Sequence, residues 1–120
     1  MKTLITLIVI GALAAFQAAN AQSDKSERNF GLKVDTITVE GVCGMCKKRI
    51  EKAAMSIEGV KTATWNEDSK KLLVKYSVHN PEALVAVEKK VSAAGHDAGK
   101  TKATAEAYRK LPDCCHYREQ

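Results

Sequence analysis

From Leu32 onward the spacing of apolar residues changes period several times. Lys33–Glu40 is rich in Val, Ile and Thr, with Ile37 and Val39 on one face, which predicts a half-buried strand. Gly41-Val42-Cys43-Gly44-Met45 breaks that strand with two glycines. From about Cys46, Ile50, Ala53, Ala54 and Ile57 recur at helical spacing. Lys47, Lys48, Arg49, Glu51 and Lys52 fall largely outside that stripe, and Gly59 is placed to end the helix. Val60–Asn66 sets Ala63 and Trp65 against Thr62 and Thr64. Lys71–Ser77 sets Leu72, Val74 and Tyr76 on one face, and Glu67-Asp68-Ser69 makes the turn between them. Asn80-Pro81-Glu82 reads as cap, first helical residue and early acidic residue. The helix it opens carries Leu84, Val87, Val91 and Ala94 inward and stops at Gly95. A last strand is expected over Asp97–Ala103.

The order is β-α-β-β-α-β. It predicts an α+β, ferredoxin-like sandwich in which a four-stranded antiparallel sheet carries both helices on one face. The domain is expected over residues 32–103, after a flexible, charged leader at 22–31 and before a Cys- and His-containing tail at 104–120.

Residues 1–21 have the layout of a secretory signal peptide: Lys2, the apolar run Leu4–Ala15, and the small residues Ala19-Asn20-Ala21. The run is shorter than the roughly 18–20 residues a membrane span needs. A periplasmic or secreted protein is therefore expected, with no stable membrane insertion after cleavage. The net charge of +5 is interspersed with acidic residues and aromatic content is only 5%, so nucleic-acid binding is not expected.

The chemistry lies in the cysteines. Cys43-x-x-Cys46 falls where a strand hands over to a helix. Two intervening residues let both sulfurs face one ion, and a helix N-terminus eases ionisation of a thiol there. Lys47, Lys48 and Arg49 add positive charge at the same end. Soft thiolates favour soft ions, of which Cu(I) is the common biological case, whereas zinc prefers four ligands. Cys114-Cys115-His116 is a second short Cys/His tract. Cys43 and Cys46 are the expected metal ligands, and His96, Cys114, Cys115, His116 and Met45 are additional candidates. Other uses compete: a thiol–disulfide oxidoreductase also uses C-x-x-C, and paired cysteines can staple an exported domain. No catalytic triad, paired carboxylates or phosphate-cradling glycine loop stands out, so the protein is not expected to be an enzyme.

Val39-Glu40-Gly41-Val42-Cys43-Gly44-Met45-Cys46, the basic helix after it, Ile57-Glu58-Gly59-Val60 and Ala94-Gly95-His96 together resemble the heavy-metal-associated domain family. That family includes copper chaperones, amino-terminal domains of copper-exporting ATPases and the periplasmic mercuric-ion-binding protein. The family typically reads Gly-Met-Thr-Cys-x-x-Cys. Here Gly41-Val42-Cys43 is one residue shorter and lacks the buried Met, a space that Met45 is expected to fill. The resemblance implies metal binding and hand-over without catalysis. Cu(I) is the first expectation, and a Zn(II)- or Hg(II)-binding protein using the additional tail cysteines is the alternative. The implied partner is a metal-transporting ATPase or efflux component, with the chain a monomer or a metal-bridged dimer. It also implies that the loop holding His96 lies near the metal.

The signal-peptide reading has a direct consequence. Intact mass of the exported protein should place its first residue at Gln22; a retained apolar segment would refute it.

Overall fold

The computed structural model describes residues 31–120. The signal peptide expected at 1–21 and nearly all of the leader lie outside them. No helix among the described residues is long and apolar enough to cross a membrane.

Strand β1 (Leu32–Thr38) leads to helix α1 (Gly44–Met55), then to the hairpin of β2 (Val60–Trp65) and β3 (Lys71–Ser77), and to helix α2 (Ala83–Ala93). The sheet is antiparallel in the order β1-β3-β2, so β3 is central. Register places Ile37 and Trp65 on either side of Leu72, and Asp35 and Ala63 on either side of Val74. The inward face therefore carries Ile37, Leu72, Val74, Tyr76, Ala63 and Trp65, all buried. Asp35 also falls on this face, where a carboxylate would be costly alone; it accepts a 2.6 Å hydrogen bond from the Tyr76 hydroxyl. Cys46, Ile50, Ala53 and Ala54 of α1 and Ala83, Val87 and Val91 of α2 close over that face. Beside these, the stripe expected on α2 is rotated slightly. Ala83 is fully buried whereas Leu84 is only partly so, because the helix begins after Glu82. The Asn80 side chain does not cap it, but donates to the Glu58 carbonyl at 2.7 Å.

The expected fourth strand is not formed: among the described residues the sheet has three strands. Only a stub remains, in which Gly99 N–H donates to Thr38 O (2.8 Å) and Glu40 N–H to Asp97 O (2.9 Å). Beyond it, Ala98 and Thr101 exchange two 2.9 Å backbone hydrogen bonds around Gly99-Lys100, with Gly99 at φ +54°. A glycine at the first of two central positions is a hairpin-turn signal, and it reverses the chain before a strand can extend.

The segment from 104 folds back onto the domain. Thr104 Oγ1 accepts from Ala107 N–H (3.1 Å) and opens the short helix α3 (Ala105–Arg109); 3₁₀ turns follow at Asp113–Cys115 and Tyr117–Glu119. Tyr108, Leu111 and Cys115 join the main core. The approach is close at Gly95, where a Cβ would lie 2.8 Å from the Leu111 side chain and where φ is +110°. Gly95→Ala should therefore cost roughly 1–3 kcal/mol through strain and overlap. Thermal melting would register the loss, and an unchanged melting temperature would show that this contact does not constrain the fold.

Candidate metal centre

Cys43 is the N-cap of α1, extended at φ −142° and ψ 174°. Its backbone leaves the strand direction there, which turns the side chain across the first turn of the helix. Cys46, one turn on, is fully buried in the core. Gly41 sits beneath the loop: a Cβ there would stand 3.1 Å from both the Cys46 Cβ and the Trp65 ring. Trp65 is itself fixed by its indole N–H on Val39 O (3.0 Å). Lys70 crosses its ring at 5.5 Å and donates to Gly41 O at 2.6 Å. The loop thus rests on tryptophan. Met45 does not fill this space; it is 55% exposed.

The folded-back segment brings the second cysteine pair to the first. Cys43 Sγ lies 3.6 Å from Cys46 Sγ, 3.5 Å from Cys114 Sγ and 3.8 Å from Cys115 Sγ. Cys43, Cys46 and Cys115 hold their sulfurs within 4.8 Å of one another. Cys114 is exposed and touches Met45 Sδ at 3.5 Å. Among the described residues all four cysteines are free thiols, and Cys46 and Cys115 are wholly shielded from solvent.

Burial pushes the Cys43 thiol up, but the nearby backbone N–H of Cys46, the thiols of Cys114 and Cys46 and the N–H of Met45 outweigh it and hold the pKa at about 7. The N–H groups at the helix N-terminus and the neighbouring thiols share that stabilisation. The basic residues expected to supply it do not feature. Lys47 is turned to Trp65 O (2.7 Å) and Glu51 (2.5 Å), tying α1 to the end of β2. Burial, with the neighbouring thiols of Cys46 and Cys43, raises Cys115 far above the ordinary thiol range. The Cys43 contact raises Cys114 as well.

Of the remaining candidates, His96 is fully buried with Nδ1 2.8 Å from Glu40 O, and its Nε2 has no partner among the described residues. Burial lowers its pKa, so the ring is neutral near pH 7, with Nδ1–H donating to that carbonyl. Its face stacks on Tyr117, centroids 5.6 Å apart. His116 directs Nε2 to Leu111 O (3.0 Å), places Nδ1 3.6 Å from Glu119 and packs against Tyr108. Neither histidine belongs to the sulfur cluster.

The residues that hold the second pair in place were not singled out by motif. The Tyr117 hydroxyl donates to Gly95 O and accepts from Asp97 N–H, both at 2.9 Å. Arg118 donates to Asp97 Oδ1 (2.8 Å) and Ala103 O (2.9 Å) and stacks over Tyr108. A signal did exist: Tyr108, Leu111 and Cys115 recur at the spacing of a buried helical face, which Pro112 obscures.

A strand–thiolate-loop–helix unit on a ferredoxin-like sheet defines a soft-metal-binding domain. Residues 36–97 match the heavy-metal-associated domain, and the chain belongs to that family. It is 37% identical over 81 residues to a copper-exporting P-type ATPase of Staphylococcus epidermidis. That match takes in 65% of this chain and only 10% of the ATPase. Among solved structures, the CopZ metallochaperone is similar at a TM-score of 0.51 and 28% identity, over 55% of this chain and 98% of CopZ. The N-terminal domain of a potential copper-translocating P-type ATPase from Bacillus subtilis, in its Cu(I)-loaded state, matches at 0.50 and 27%. That likeness covers 57% of this chain and 85% of the domain.

Exposure and charge order the thiols. In reduced, metal-free protein, iodoacetamide should modify Cys43 and Cys114 first and spare Cys46 and Cys115. The Cys43 rate should rise through pH about 7 as the thiolate forms, then level off. Peptide mass spectrometry reads the order, and equal labelling of Cys115 and Cys114 would contradict it.

Proposed function

We propose that this protein is an exported carrier or scavenger of Cu(I), which it holds at Cys43 and Cys46 and passes to a metal-transporting ATPase or efflux component. The observation that carries this reading is the juxtaposition of the Cys43 and Cys46 sulfurs at 3.6 Å on the first turn of α1. Thiolates are soft donors suited to a soft, low-charge ion. Binding displaces the thiol protons, so the helix N-terminus that favours the Cys43 thiolate also favours capture. The ion is cargo: it enters and leaves at the rim, where Cys43 is only partly covered. Export is supported by the signal-like residues 1–21, and the partner class by the ATPase and chaperone relatives.

Cys43→Ser is the clean test, because Cys46 is part of the core and its replacement disturbs packing as well as binding. In a competition titration against a Cu(I) chelator the variant should lose more than the roughly 10–100-fold that follows from losing a mere supporting partner of a ligand. Its far-ultraviolet circular dichroism should match wild type. Unchanged Cu(I) affinity would overturn the assignment.

A further inference from the structure

The C-terminal segment lies beyond the residues that match the family, yet it reaches the metal loop. We propose that Cys115 is a third ligand, so that the ion is held by Cys43, Cys46 and Cys115 of a single chain. This rests on the reading of Cys43 and Cys46 as the metal site and extends it.

Geometry carries the inference. With a metal–thiolate bond of about 2.3 Å, sulfurs on opposite sides of an ion stand about 4.6 Å apart, whereas three around it in a plane stand about 4 Å apart. The observed 3.6 Å (Cys43–Cys46) and 3.8 Å (Cys43–Cys115) lie nearer the three-sulfur arrangement. Cys115 is as fully buried as Cys46, and no disulfide occupies either sulfur. Cys114 differs. It is exposed, lies outside the mutually close set of three and contacts Met45.

The position is built rather than incidental. Tyr117 and Arg118 clamp the segment through backbone and side-chain hydrogen bonds on both sides of His96, and Leu111 seats against Gly95. The third sulfur therefore does not have to be drawn from a loose tail at the moment of binding, and little ordering entropy opposes it. A third thiolate from the same chain slows release, since one more metal–sulfur bond must break before the ion leaves.

The experiment uses the full reduced chain loaded anaerobically with one equivalent of Cu(I), as wild type, Cys115→Ala and Cys114→Ser. Copper X-ray absorption should count three sulfurs in wild type and Cys114→Ser, and two in Cys115→Ala. Release to a competing chelator should be about tenfold or more faster in Cys115→Ala than in wild type. Because Cys115 is a core residue, circular dichroism of each variant is compared first. If Cys115→Ala is misfolded, Hg(II) titration of Cys114→Ser decides instead: a trithiolate charge-transfer band there supports Cys115 as the third ligand and its absence refutes it. Two sulfurs in wild type, or a drop in Cys114→Ser with none in Cys115→Ala, would overturn the proposal while leaving Cys43 and Cys46 as the site. Failure of wild type to bind Cu(I) at all would instead overturn the underlying reading.

Discussion

The Tyr117 hydroxyl is the contact on which the arrangement of this site depends. Where the chain leaves α2, the backbone groups of residues 95–97 need partners, because buried amides and carbonyls left bare are expensive. A longer strand would have paired such groups along the edge of β1. Here one phenol serves two of them, accepting from Asp97 N–H and donating to Gly95 O. Arg118 and Asp97 satisfy both backbone groups of Ala103 in the same way. The domain thus exchanges most of a fourth strand for a folded-back segment, and that segment carries Cys114 and Cys115.

The second constraint lies under the loop. Gly41 is pressed between Cys46 and the Trp65 ring, where a Cβ would stand 3.1 Å from each and make a neighbour give way. Trp65, pinned by Val39 O, takes the buried position beneath the shortened loop and leaves Met45 outside among the exposed sulfurs. His96 lies outside the sulfur cluster and away from the surface. Neutral and buried, it joins the Glu40 carbonyl just before the loop to the Tyr117 ring, and so links the two cysteine-bearing segments through packing.

The thiols are consequently unequal. Cys43, partly covered at the helix N-terminus, has a lowered pKa, whereas burial raises that of Cys115.

Local patterning determined most of the scaffold. Alternation in Lys71–Ser77 and the apolar stripe of α1 specify their elements because burying one face of a strand or helix leaves a periodic trace. The Cys43-x-x-Cys46 pair was legible for the same reason: its two sulfurs are neighbours on one turn. What the sequence could not determine depends on contacts remote in the chain. The Gly99-Lys100 turn competes with strand propensity, and only the pairing of the 95–103 backbone with Tyr117 and Arg118 resolves it. The meeting of Cys43 with Cys115 spans 72 positions, and His96 and His116 carry no local mark of their partners. Tertiary structure decided those, because hydrogen-bond satisfaction across distant segments leaves no periodic trace in either one.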